Sequence, residues 1–558
     1  MKNTVCKFGS SLAAFVMILS WGAATSLAQQ ADDYMRALQA KSASTKESDW
    51  IFWGDKVGTF TSWTNHSNRL IPVYTFGGNL DAISGENSVY RDESKLEELY
   101  GKVPDETFNP DADYFDQTQL YTLQKLAVQQ GKKNIIVMIF DGMDWQTTQA
   151  AAIYKAQKIA YTQGRGNVLS FQTYDKGPTD FGFCVTSAHN AGSKYDVDSQ
   201  TVVNIGGDAG GGYNADFGGK APWSQPGDHS YLLGRRKTLN HIYTDSAASA
   251  TSIFTGKKTY NGAIGIDHEG NHLNSIAHEL QDAGRSVGVV TSVPLSHATP
   301  ASAYAHNVTR NDYQDLTRDL VGLPSISHRE KPLRGMDVVI GCGWGAEKDD
   351  DTQKQGKNFV AGNKFLPQEE VDKINVDNGG LYVVSNRTEG IKGNEALAAA
   401  TSAASDGQHR LLGLFGAQCT HLPYATADGN FDPTRGTNDA DKYTPEEIFE
   451  NPSLAEMTDA ALQVLNTNEK GFWLMVEAGD VDWANHNNNI DDAIGAVFSG
   501  AKAFDAITNW VETNSSWEDT LLIVTADHGH MMNVVDLERL IRPAAKTVTK
   551  KSENQAAK

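Results

Sequence analysis

Cysteine is scarce in this chain, four in 558 residues. Cys6 falls in the leader-like start, which leaves Cys184, Cys342 and Cys419, an odd number that allows at most one internal disulfide. A disulfide framework is therefore excluded as the source of stability. With no paired C-x-x-C spacing, so is a cysteine-bound structural zinc. Long apolar runs are lacking too. The one stretch near the start, residues 12–19, falls short of the roughly 20 residues that a spanning helix needs. With Lys2 and Lys7 before it and Ser26-Leu27-Ala28 after it, residues 1–28 read as an export signal, so a periplasmic or secreted protein with no stable membrane span is expected. Positive charge is in deficit, 48 Lys and Arg against 69 Asp and Glu, a net charge of −21. That balance speaks against nucleic acid and anionic membranes as general partners, since both are polyanions. A small anionic ligand responds instead to the local field of the cleft that holds it. The glycine-rich residues 206–212 lack both G-K-[ST] and the dinucleotide fingerprint, so they read as a surface loop within an insertion at about residues 188–236.

What is present is an ordinary globular composition, 40% hydrophobic and 21% charged, in a chain long enough for a large core. Residues 29–131 are polar and aromatic with irregular turns and read as an N-terminal extension without assigned chemistry; His66 within it reads as a surface or packing histidine. From Asn134 the character changes. The run Ile135-Ile136-Val137-Met138-Ile139-Phe140 is that of a strand buried on both faces, and it ends in Asp141. Apolar runs recur before Thr291, before Glu477 and before Asp527-His528, with helix-like segments at residues 276–283 and 454–465 between them. The alternation predicts an α/β fold, a three-layer sandwich with a central, mostly parallel sheet. In such sheets ligands bind beyond the carboxyl ends of the strands, where Asp141, Glu477, Asp527 and His528 fall.

Two further patterns carry chemistry. In Thr244-Asp245-Ser246-Ala247-Ala248-Ser249 a serine opens a small-residue helix, where free N–H groups and the helix dipole favour an anion and a metal can activate the hydroxyl. Standing alone, the same pattern describes an N-cap. Asp482 and His486 are four apart, a spacing that on a helix puts both on one face, able to share a metal; a solvent-facing pair is the plainer alternative.

The segment from Thr244 to Asp267, TDSAASATSIFTGKKTYNGAIGID, closely resembles the nucleophile segment of alkaline phosphatases, and the matching motifs run in the family's order from about Asn134, with Asp141-Gly142-Met143, to His530. The resemblance implies hydrolysis of small phosphate monoesters through a phosphoserine on Ser246, with two Zn2+ and one Mg2+. It implies that Asp141 bridges a zinc and the magnesium, that Asp527 and His528 hold the zinc beside Ser246, and that Thr299 and Glu477 complete the magnesium ligands. Asp482 and His486 would bind the second zinc. In SHATPASAYAHNVTR, Arg310 takes the position that grips phosphate, and Asp245 would orient it. His297 and Trp483 occupy positions that vary among branches of the family and are expected to tune the metals from behind their ligands. The family's habit implies a homodimer.

One departure stands out. Family members continue well past the Asp-His pair and supply a further histidine to the second zinc, whereas only 30 residues follow His528 here, ending in a polar tail at residues 546–558. The catalytic domain is thus expected at residues 132–545 with one zinc ligand unidentified, His421 and His530 being available but not supported by motif position, and with C-terminal sheet structure lost. Two rival readings have their own signatures. A relative that binds phosphate or metal without turnover is motivated by the missing ligand. A phosphodiesterase or sulfatase of the same superfamily is opposed by the setting of Ser246, which lacks the C/S-x-P-x-R context of a sulfatase.

Overall fold

The computed structural model describes residues 33–190, 192–205, 210–236, 238–417 and 420–543. The export signal, Cys6, Cys419 and the polar tail lie outside the described residues, as does most of the glycine-rich run. Cys184 and Cys342 are buried and free.

Ten strands form one mixed sheet: β1 (Ile71–Phe76), β2 (Phe115–Asp116), β3 (Asn134–Phe140), β4 (Thr179–Val185), β5 (Ser286–Pro294), β6 (Val338–Cys342), β7 (Tyr382–Asn386), β8 (Arg410–Phe415), β9 (Phe472–Ala478) and β10 (Thr520–Thr525). Their order is β7-β8-β6-β5-β9-β3-β10-β1-β4-β2. From β7 through β10 neighbouring strands run parallel. Beyond β10 the sheet turns antiparallel at β1 and at β4, and β2 closes the edge parallel to β4.

The central strands are apolar along their whole length because both faces are covered. Every residue of β3 and β9 is buried. Successive side chains point to opposite faces. Accordingly Phe472 packs on Trp510 of one helix, while Trp473 packs on Phe254 of another. Those helices belong to two layers. The layer over Phe472 includes α1 (Trp145–Ala156), and that over Trp473 is built from α2 (Ser246–Thr255), α3 (Ile276–Asp282), α4 (Ala298–Ser302) and α5 (Tyr313–Val321). The first layer continues with α6 (Leu454–Leu465), the short α7 (Asp480–His486) and the long α8 (Ile490–Asn514), α8 touching α1, α6 and α7.

Residues before 131, read from sequence as an appended extension, are woven into this sheet. Strand β1 pairs with β10 in the register Leu522↔Phe76, Ile523↔Thr75, Val524↔Tyr74. A short ribbon also pairs Ile51–Trp53 with Met532–Val534. Strands from before residue 131 thus extend the sheet beyond β10.

Candidate active site

The site forms where β5, β9, β3 and β10 end side by side. Asp141 follows β3, Glu477 is the penultimate residue of β9, and Asp527 and His528 follow β10. Helix α4, reached from β5, presents Thr299. Ser246 opens α2 behind an Asp245 N-cap, whose carboxylate accepts from the Ala248 N–H at 3.0 Å. Helix α2 stops at Gly256, which takes the left-handed conformation with φ 70°.

Ser246 is buried, and its Oγ lies 3.1 Å from His528 Nε2. The same nitrogen is 3.3 Å from Asp141 Oδ1 and 3.5 Å from Asp527 Oδ2. Asp527 Oδ1 accepts from the Gly142 N–H at 2.9 Å. Gly142 adopts φ 69°, and a Cβ there would stand 2.5 Å from His530 Nε2 and 3.2 Å from Asp482 Oδ1. Glycine lets the loop after β3 close under the site.

A second group gathers Asp141, His297 and Glu477, with one ligand atom from each lying within 4.8 Å of the others. His297 thus stands beside the carboxylates themselves. Glu477 Oε2 accepts from the Thr291 hydroxyl. The Thr299 hydroxyl is buried without a hydrogen-bond partner.

The third group corrects the reading of His66. That residue is 6% exposed, and its ring stacks on His528 at 3.6 Å between centroids. Three ties hold it there. Ser67 bridges to Gly529, its N–H 2.7 Å from the Gly529 carbonyl. Arg69 pairs with the buried Asp144 at 2.9 Å. His66 Nδ1 donates to the Thr244 carbonyl at 2.8 Å. Its Nε2 then faces His486 Nε2 at 3.1 Å and Asp482 Oδ1 at 3.8 Å. His486 Nδ1 likewise donates, to the Thr64 carbonyl at 2.7 Å. In their neutral forms both Nε2 atoms are therefore bare lone pairs pointed at each other, an arrangement that a cation satisfies and a hydrogen bond between neutral rings does not. His530 Nε2 lies 2.7 Å from Asp482 Oδ1, so the structure gathers His66, Asp482, His486 and His530. His421 is not among them: it packs against Trp483 and sits 3.7 Å from Asp441.

The electrostatics are unbalanced without cations. Burial, and then the neighbouring Asp482, Asp527 and Glu477, push Asp141 well above the usual carboxylate range. Burial raises Glu477 to about 7 and raises Asp527 as well. Asp482 goes the other way, because His486, His530 and His528 outweigh the effect of burial. Burial holds His66 and His528 well below the ordinary imidazole value, and brings His297 down to about 3. Both oxygens of Asp141, Glu477 Oε1, Asp527 Oδ2 and His528 Nδ1 are buried without hydrogen-bond partners. Hard oxygens and neutral imidazoles left bare in this way are the donor set of divalent metal ions.

On the open side, Arg310 Nη1 donates to Asp245 Oδ2 at 2.9 Å, and its Nη2 approaches His297 Nε2 at 3.4 Å. Asp245 Oδ1 also accepts from the Gly262 N–H at 3.1 Å, which ties the arginine to the start of α2. Trp483 lies edge-on to His297 at 5.9 Å and touches no carboxylate of the cluster in these contacts.

Sequence reasoning missed His66 as a member of the site. It stands five residues before Ile71–Phe76, whose Pro72 and polar surroundings hide a strand.

The sequence model of the family described as "Alkaline phosphatase" matches residues 224–557. Alkaline phosphatase 4 of Bacillus subtilis is 31% identical over 290 residues, covering 51% of this chain and 49% of that protein. Alkaline phosphatase of Escherichia coli K12 is 32% identical over 321 residues, 55% of this chain and 62% of that one. The chain thus spans about half the length of the first and less than two thirds of the second. Among solved structures, the cold-active alkaline phosphatase of Shewanella sp. aligns over 71% of this chain and 68% of its own, at 24% identity and a TM-score of 0.41.

Proposed function

Since the chain belongs to the alkaline phosphatase family, we propose that it hydrolyses small phosphate monoesters with Ser246 as nucleophile. The carrying observation is Ser246 Oγ, 3.1 Å from His528 Nε2 at a helix start and beside buried carboxylates, of which both Asp141 oxygens and Asp527 Oδ2 lack a hydrogen-bond partner. In this reading Asp141, Asp527 and His528 hold one zinc beside the serine. Asp141, Thr299 and Glu477 hold magnesium, with His297 alongside. Asp482 and His486 hold the second zinc, with His66 as the ligand the sequence left unidentified and His530 hydrogen-bonded to Asp482. Bound there, divalent ions lower the hydroxyl pKa and stabilise the attacking and leaving oxygens of an in-line displacement.

The chain's own residues do the rest. Arg310, held by Asp245, presents its guanidinium fork to the phosphate oxygens. Ser246 Oγ bonds to phosphorus as the ester P–O bond breaks, and the alcohol departs with a proton. Water then attacks the phosphoserine, releasing inorganic phosphate and restoring the Ser246 hydroxyl. Binding without turnover was motivated by a missing ligand; His66, with its Nε2 3.1 Å from His486 Nε2 and 3.8 Å from Asp482 Oδ1, supports the catalytic reading instead. Export to the periplasm or medium, and a homodimer, complete the proposal; among the described residues no helix is long and apolar enough to cross a membrane.

The test is hydrolysis of a chromogenic phosphate monoester by the zinc- and magnesium-loaded chain beside Ser246→Ala. Turnover is expected in the first and not in the second, with metal content equal. Full activity in Ser246→Ala would remove the serine from the mechanism.

A further inference from the structure

One further group of metal-ligating side chains lies outside this site among the described residues: His272, His306 and His328, with one ligand atom from each lying within 4.8 Å of the others. Three separate segments bring them together. His272 is bridged to Ile266 across a tight turn, His306 follows α4, and His328 sits in the turn after α5. The rings of His272 and His306 stack at 4.6 Å and 9°.

His306 Nε2 donates to the Leu273 carbonyl at 2.8 Å, so the neutral ring presents a bare Nδ1. That atom lies 2.9 Å from His328 Nε2. Asp319 closes the group from below. It is fully buried, its Oδ2 accepts from the His306 N–H at 3.0 Å and stands 4.0 Å from His328 Nε2, and its Oδ1 has no hydrogen-bond partner. A plain N–H···N bond from His328 to His306 would satisfy that pair. It would give the stacked His272 no task. Three neutral imidazoles over a buried carboxylate, with His272 exposed as the entry side, match the ligand preference of zinc-class ions.

We propose that His272, His306 and His328 bind one divalent ion of the zinc class, separate from the ions of the Ser246 site, with Asp319 as the charge beneath it. The bound ion joins the loop before His272 to the segment after His306. Ile264 bridges to Asn307 between them, and the Gly262 carbonyl accepts from the Arg310 N–H at 2.8 Å. The ion is thus a clasp on the loop pair that positions Arg310.

The experiment is metal analysis by mass spectrometry on the full chain, loaded with zinc and magnesium and dialysed against metal-free buffer. The variant His272→Ala/His328→Gln is expected to hold one zinc fewer per chain than the wild type. Combining it with His486→Ala should add the two losses. Equal zinc in the wild type and the folded double variant overturns the proposal. Should the double variant not fold, His272→Ala alone, an exposed position, is read by zinc titration of the melting temperature. A smaller zinc-dependent rise is expected, and an unchanged rise overturns it.

Discussion

Replacing His66 by alanine takes one imidazole out of the Asp482–His486 group and leaves its other members in place. A four-ligand zinc site contributes about 10–16 kcal/mol, so one ligand in four carries about 2.5–4 kcal/mol, or about 100- to 1000-fold in dissociation constant. The metal-free fold loses less. The hydrogen bond from His66 Nδ1 to the Thr244 carbonyl is worth about 1 kcal/mol and the stack on His528 about as much again. The variant should therefore fold and need more zinc. The assay is phosphate monoester hydrolysis across a zinc series buffered by chelator, with circular dichroism to establish folding. Half-maximal activity should move to about 100- to 1000-fold higher free zinc, with most of the rate regained at excess. His421→Ala serves as the control, because its ring lies with Trp483 and Asp441 outside the group, and its zinc requirement should stay put. An unchanged zinc requirement in folded His66→Ala would refute the placement of the N-terminal histidine as a ligand.

Arg310→Ala should raise KM and weaken inhibition by inorganic phosphate about 10- to 100-fold, the worth of a charge-assisted hydrogen-bond pair; an unaltered phosphate inhibition constant would remove Arg310 from the phosphate site. Lys258 and Asp116 form a fully buried ion pair at 3.0 Å. Lys258→Met strands the carboxylate and should cost about 3–5 kcal/mol in urea unfolding, against no loss if the pair were idle. Burial raises Asp491 to about 7, so between its unfolded value near 4 and 7 the folded chain holds a proton that the unfolded chain has released. Stability should therefore fall as pH rises through that window and level off above it. Asp491→Asn should flatten this slope by an amount of the order of a few kcal/mol between pH 4 and 8; urea unfolding of the metal-free chain at the two ends reads the difference, and an identical slope in the variant would contradict the assignment.

The parallel centre of the sheet was legible because strands covered on both faces cannot alternate. The runs around Ile136, Val289, Leu474 and Ile523 are apolar throughout, and each ends abruptly where a polar group meets the cleft. Asp141, Glu477, Asp527 and His528 were readable as strand-end residues for that reason. The segment Ile71–Phe76 was not, because Pro72 and the polar, turn-rich surroundings mask a strand whose partner lies far along the chain. His66 went with it. Periodicity reports a residue's local face, and nothing local tells a histidine that its neighbours are His486 and His528. His297, expected near the magnesium site by family resemblance, lies with Asp141 and Glu477, one ligand atom from each within 4.8 Å of the others.

The pairing of β1 with β10 also sets a timetable for the living chain. His66 and His486 are 420 residues apart, so at a synthesis rate of about 5–20 residues per second the first waits about 20–80 s for its partner to be made. Until the last strands arrive, the growing polypeptide holds scattered donors and no finished trap for zinc. A nascent chain therefore cannot bring His66, Asp482, His486 and His530 together, and the long-range strand pairing makes their meeting one of the last events of folding.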